Sequence, residues 1–281
     1  MIIRMIRWSA AVLVFLVLVG CSKPAAQQNG PAEKRERELV HPAFSMTLAD
    51  VRETISPLPP DIQANILMRP QYFMELVDQA LTLSPELLRL VDKAHALPSD
   101  YEPDDLVSLA EYDVRVNRSD LTLRRGVMPD VLAMVEAARS DDIELVFSSC
   151  YRSYSYQETV YKRHIEQLGE EQANRESAKP GTSQHQLGTT IDFGSITPAF
   201  GDTPAGKWLY RHAWKYGFSL SYPAGLEELT GYMHEIWHYR YISRVGTELE
   251  QQFFNGIQQH LLSFWNAHKN RFVDASLSHN L

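Results

Sequence analysis

The segment Thr182 to Asp192, TSQHQLGTTID, constrains the fold more tightly than any other part of the chain. Pro180 and Gly181 mark a turn before it, and Gly188 permits a second turn within it. Thr189 to Phe193 then reads as a short strand, on which Thr190 and Asp192 share one face while Ile191 and Phe193 take the other. A carboxylate with an apolar neighbour on each side is costly to bury alone. Asp192 therefore either lies at the surface or faces a cation, and His185, seven positions earlier, is the first residue to consider beside it.

A second segment adds to the pattern. Glu235-Ile-Trp-His238 places a carboxylate three residues before another histidine. Zinc in a hydrolase commonly has three protein ligands drawn from His and Asp or Glu, with a water in an open position. His185, Asp192 and His238 form one candidate set. Singly, each has an ordinary explanation: a lone histidine is more often a surface or satisfied side chain, and a lone Asp192 more often a turn or edge-strand residue. Their joint occurrence carries the argument.

The N-terminus bears on where the chain works. Arg4 and Arg7 precede an uncharged run from Trp8 to Gly20, the pattern of an export signal. The run is shorter than the roughly 20 residues that span a bilayer. It ends in Leu18-Val19-Gly20-Cys21, which resembles the lipobox of bacterial lipoproteins, so residues 1–20 are expected to be a signal peptide and Cys21 the lipidated first residue. The other readings are an uncleaved anchor or a plain secretory signal. Several acyl chains on one residue give stable anchoring, which implies an exported protein held to the bacterial membrane, facing the periplasm or cell wall. Using Cys21 in this way leaves Cys150 alone, without an internal disulfide partner in an oxidising compartment. Losing Arg4 and Arg7 with the signal moves the formal charge from -8 to -10, which argues against a nucleic-acid partner.

Residues 21–43, polar and punctuated by Gly and Pro, read as a flexible tether. Residues 44–96 carry apolar side chains at helical spacing, broken at Pro57 to Pro60, Pro70 and Ser84-Pro85, the last read as a helix start. Pro129 to Ser140 and Tyr154 to Leu168 read as helices around a short strand from Ile143 to Ser148, followed by a polar segment from Gly169 to Lys179. Trp208 to Tyr216 reads as helical, and Phe218 to Tyr222 and Tyr232 to Ile242 as strands. Leu249, Phe253, Ile257, Leu261 and Trp265 step by four along one face of a C-terminal helix over 246–281, expected to pack on the domain. The class is α+β: a small, mainly antiparallel sheet carrying the candidate site, flanked by helices, with a helical extension before it and an amphipathic helix after it.

Four ordered blocks carry a family resemblance. SSCYRSYSYQ at 148–157, PGTSQHQLGTTIDF at 180–193, WLYRHAWKYGFSLSYP at 208–223 and TGYMHEIWHYRYI at 230–242 together resemble the VanY-type D-alanyl-D-alanine carboxypeptidases. These belong to a wider zinc peptidase group that includes lysostaphin and shares its fold with the hedgehog signalling domain. The likeness runs over about 97–245. It implies one Zn2+ ion held by His185, Asp192 and His238, with Glu235 as general base. It also implies that Arg152, Gln157 and Ser183 hold the terminal carboxylate of the substrate, a task for which an arginine fork is apt. Tyr222 and Trp237 are expected to line the pocket.

The chain departs from the family pattern at several positions. Ile236 stands where the family usually has proline, Cys150 where it has glycine, and Thr190 where it often has alanine. In a regular strand, residues three apart point to opposite faces, so Glu235 and His238 can share one ion only if the alternation breaks. Proline suits such a break; the backbone is expected to stay irregular over 233–239 with Ile236 in its place. Of the other histidines, His234 is the one placed to help bind a polarised carbonyl. The reading is a monomeric, lipid-anchored zinc carboxypeptidase that removes C-terminal D-alanine from peptidoglycan stem peptides. The alternatives are a peptidoglycan endopeptidase, or a non-catalytic wall-binding lipoprotein of the same fold.

Overall fold

The computed structural model describes residues 36–277. The expected signal peptide, Cys21 and most of the expected tether lie outside the described residues. Among residues 36–43, read as the end of that tether, Val40 is buried and its N–H donates to the Met46 carbonyl at 3.0 Å.

Three helices come first: α1 (Leu48–Ile55), α2 (Pro60–Met68) and α3 (Pro70–Leu81). Thr47 and Asp50 close a reciprocal capping box at the start of α1, and Pro60 and Pro70 sit at helix starts where a missing N–H costs nothing. The helix expected at Ser84-Pro85 does not form. Turns take its place, and the buried guanidinium of Arg240 reaches the carbonyls of Glu86, Leu87 and Arg89, the last at 2.7 Å. Carbonyls turned toward a cation in this way are lost to a helical ladder.

The central part builds two sheets. Strands β1 (Leu106–Ser108) and β3 (Thr122–Arg124) form a small antiparallel ribbon. The main sheet has the order β2 (Arg115–Val116), β4 (Val146–Ser149), β5 (Thr190–Phe193), β7 (His238–Tyr241), β6 (Phe218–Leu220), antiparallel except for the β2–β4 pair. Helices α4 (Met128–Ser140), α5 (Tyr154–Leu168), α6 (Glu170–Glu176), α7 (Pro204–His212) and α8 (Glu227–Thr230) lie between the strands in the chain. The polar segment after α5 thus contains a helix of its own.

β5 is the middle strand, and all four of its residues are buried. Ile191 and Phe193 face a core with Met134, Phe147, Leu209 and Tyr239, in which the Phe193 ring meets Phe147 and Tyr239 edge-on. The strand expected over Tyr232 to Ile242 is formed only from His238 onward.

The chain closes with α9 (Arg244–Phe253) and α10 (Gln258–Leu277). The apolar stripe expected on one helix is divided between these two, because Asn255 and Gly256 both take left-handed backbone conformations, at φ 58° and 67°. The Gly256 N–H returns to the Glu250 carbonyl at 3.0 Å, which ends α9. Both C-terminal helices share a second core with α1–α3, centred on Phe73, whose ring lies against Phe253, Phe254, Phe264 and Phe272. The first three and last two of the described helices therefore form one packed unit beside the sheet.

Candidate metal centre and cleft

Strand register brings two of the candidate ligands together. Asp192 on β5 is directly opposite His238 on β7, so both side chains project from the same face of the sheet. His185 comes from a short 3-10 turn, Gln184–Leu187, which ends at Gly188 with φ 70°. The His185 Nδ1–H donates to the Cys150 carbonyl at 2.6 Å, which leaves Nε2 with a lone pair turned toward Asp192 Oδ2 at 3.2 Å. His238 Nδ1 lies 3.0 Å from Asp192 Oδ1. The two imidazoles meet edge-on, with ring centroids 4.9 Å apart.

One ligand atom from each of His185, Asp192 and His238 lies within 4.8 Å of the others, and all three residues are buried. His185 Nε2 and Asp192 Oδ1 have no hydrogen-bond partner. Two orphaned buried acceptors within one cluster are costly unless a cation sits among them, and a donor set of two imidazoles and one carboxylate suits zinc. Burial alone would raise the Asp192 carboxyl, yet His185 and His238 hold it well below the usual carboxylate range. Burial, together with the charge of Arg152, pushes His185 down to about 4, so it is a neutral ligand at physiological pH.

Glu235 lies in the turn before β7. Its N–H donates to the Tyr222 carbonyl at 3.0 Å, and its own carbonyl accepts from the His238 N–H at 3.1 Å. This turn breaks the strand alternation at Ile236 and Trp237, and Glu235 Oε2 comes to 3.4 Å from His238 Nδ1. Burial, and then the charge of Asp192, raise the Glu235 carboxyl well above its ordinary value.

The remaining candidate residues surround a cavity of about 420 Å³. Arg152, Gln157, Ser183, Tyr222 and Trp237 all line it, together with the three candidate ligands and Glu235. Arg152 donates through Nη1 to Gln157 Oε1 at 3.0 Å, its Nη2 is 3.6 Å from Asp192 Oδ2, and its Nε is buried without a partner. Gln157 is held in turn through Nε2 to the Ala178 carbonyl at 2.7 Å. It therefore orients the arginine directly. The Tyr222 ring packs between His238 and Tyr232, and Trp237 belongs both to the cavity wall and to the sheet core.

His234 is not among the lining residues; its neighbours Met233 and Glu235 are. Cys150 is a buried free thiol whose carbonyl, not its sulfur, serves the site. The added hydroxyl of Thr190 donates to the Gln184 carbonyl at 3.1 Å. Arg118, His164 and Glu176 also line the cavity. Their place in the wall is not legible in the sequence: Arg118 lies in a bend, His164 matches no ligand spacing, and Glu176 falls in the stretch read as a polar segment.

Comparison with known proteins follows the same residues. The family model VanY, described as D-alanyl-D-alanine carboxypeptidase, matches residues 120–244. The chain is 32% identical over 258 residues to the putative carboxypeptidase YodJ of Bacillus subtilis (strain 168), covering 86% of this chain and 90% of that relative. Among solved structures, the LdcB LD-carboxypeptidase, whose structure concerns peptidoglycan recognition, is 34% identical with a TM-score of 0.58, covering 65% of this chain and 87% of that one. A VanY D,D-pentapeptidase from a VanB-type resistance cassette, solved with Zn(II), shares the fold at 24% identity and a TM-score of 0.54, covering 63% of this chain and 99% of that one.

Proposed function

Because the chain belongs to the VanY family of D-alanyl-D-alanine carboxypeptidases and is a zinc metallopeptidase of that family, we propose that it removes the C-terminal D-alanine from peptidoglycan stem peptides. The observation that carries this reading is the joint placement of a buried His-Asp-His cluster, a carboxyl of raised pKa at 3.4 Å from one of its nitrogens, and an arginine with a free Nε on the same cavity wall.

Zinc, when bound by His185, Asp192 and His238, supplies a Lewis acid that polarises a carbonyl and makes water a better nucleophile near neutral pH. Glu235 takes a proton from the attacking water and passes it to the leaving amine as the peptide C–N bond breaks. Arg152 pairs with the terminal carboxylate through Nε and an adjacent Nη, and Gln157 keeps the guanidinium plane fixed. A gripped carboxylate favours release of a single terminal residue over cleavage inside a cross-link. The products are free D-alanine and a stem peptide shortened by one residue.

The experiment is digestion of purified tetra- and pentapeptide muropeptides with the zinc-loaded protein, with the products weighed by mass spectrometry. Release of D-alanine is expected, and which of the two substrates yields it separates LD- from DD-carboxypeptidase activity. Glu235→Ala should retain zinc and lose hydrolysis. Products cut within the stem or cross-link, or equal activity in Glu235→Ala, would overturn the reading.

We propose as well that the chain is exported and lipid-anchored at Cys21. The support is the charged and then apolar start, the Leu18-Val19-Gly20-Cys21 sequence and the single remaining cysteine. Mass spectrometry of the mature N-terminus is expected to find a diacylated or triacylated Cys21; an unmodified start would refute the anchor.

A further inference from the structure

His238 must present Nδ1, and not Nε2, to the ion. Nδ1 lies 3.0 Å from Asp192 Oδ1 and 3.4 Å from Glu235 Oε2, whereas Nε2 lies 3.3 Å from the side-chain oxygen of Gln184. A neutral imidazole can ligate through Nδ1 only as the tautomer that carries its hydrogen on Nε2. Gln184 favours that tautomer when its oxygen faces the ring. With its NH2 group there instead, the hydrogen would be driven to Nδ1 and the lone pair removed from the metal site.

The direction of the Gln184 amide is decided further out. Its Nε2 donates to Gln258 Oε1 at 3.1 Å, and Gln258 Nε2 donates to the main-chain carbonyl of Ser219 at 3.4 Å. A carbonyl oxygen can only accept. It draws the NH2 group of Gln258, which turns the Gln258 oxygen to Gln184, which turns the Gln184 oxygen to His238. The Ser221 hydroxyl donates to the same Gln184 oxygen at 2.7 Å, but a hydroxyl can adapt to either polarity. Gln184, Gln258, Ser219 and Ser221 are all buried, so solvent does not compete for these groups.

We propose that Gln258 is a positioning residue for the metal ligand His238, and that the chain Ser219 carbonyl, Gln258, Gln184 sets the tautomer of that ligand. The inference rests on the zinc site of the proposed function. Gln258 lies outside residues 120–244, the part of the chain that matches the family model. It is the first residue of α10, delivered to the edge of the sheet by the left-handed break at Asn255 and Gly256. The C-terminal helices thus reach the catalytic centre as well as covering the N-terminal ones.

The test pairs two variants of the full chain. Gln258→Met keeps the length and removes the polarity. Gln258→Glu, protonated by burial, keeps it, since its carbonyl oxygen accepts from Gln184 and its O–H donates to Ser219. Zinc dissociation constants are measured by competition with a chromophoric chelator, and the hydrogen-bearing nitrogen of His238 by nitrogen-15 NMR of the folded, zinc-loaded protein, since without the ion Asp192 Oδ1 at 3.0 Å would itself draw a hydrogen to Nδ1. Gln258→Met is expected to weaken zinc binding about 10- to 100-fold, the range for disturbing an outer-shell partner, while Gln258→Glu stays close to wild type. Unchanged affinity in Gln258→Met would overturn the proposal, as would Gln258→Glu being no better than Gln258→Met. So would a hydrogen on Nδ1 of His238 in the zinc-loaded wild type, a measurement that needs no variant to fold. A wild-type protein that fails to bind zinc would remove the functional reading and the relay with it, whereas zinc binding that Gln258→Met leaves unchanged would remove the relay alone.

Discussion

Glu250 offers a sharp test of how the C-terminal helices are held. It sits in α9 at 1% exposure, with Oε2 lacking a hydrogen-bond partner and the Ser219 side chain beside it, and burial pushes its carboxyl from 4.5 up to about 8. The unfolded chain releases this proton near 4.5 and the folded one near 8, so between those values the folded state binds more protons and stability falls as pH rises. Each tenfold difference in proton affinity corresponds to about 1.36 kcal/mol. Below pH 4.5 the effect vanishes, and from pH 5 to pH 8 the linkage removes about 3 to 4 kcal/mol from the wild type. Glu250→Gln keeps the shape and abolishes the ionisation. Guanidinium unfolding of both proteins, followed by tryptophan fluorescence at pH 5 and pH 8, isolates this group because every other titration is common to the pair. The variant should gain about 3 to 4 kcal/mol on the wild type across that interval. Parallel stabilities at the two pH values would refute the reasoning and place Glu250 in contact with water.

Other expectations follow from single contacts. Gly188→Ala forces a left-handed conformation that costs an L-residue about 1–2 kcal/mol, and its new Cβ would meet Arg124 Cγ at 3.0 Å and Leu106 Cδ2 at 3.1 Å. Thermal unfolding and zinc titration should show lower stability and weaker zinc binding together, because this turn carries His185. Arg152→Lys keeps the charge but loses the planar fork; steady-state kinetics should show the loss chiefly as a raised KM for peptides ending in a free carboxylate, and little loss on the same peptides amidated. Phe73→Ala empties the centre of the terminal helical unit and should cost about 3–5 kcal/mol in denaturant unfolding.

What the chain determines by itself is the chemistry of its short segments. Side-chain identity and spacing were enough for the α+β class, for helices over Pro129–Ser140 and Tyr154–Leu168, and for a candidate set of His185, Asp192 and His238, because amphipathic period and ligand type are local properties; the role of Glu235 was implied by the family resemblance. Tertiary structure alone decided the rest, because each remaining feature depends on partners distant in the chain. Asp192 meets His238 through strand register, and the segment after Ser84 stays in turns that face Arg240, more than 150 positions away. The C-terminal stripe reads as one helix until Asn255 and Gly256 bend it. Gln258 carries no signal of its own. An ordinary glutamine gains its role only where folding sets it between an obligate acceptor on the sheet edge and the amide that faces a metal ligand.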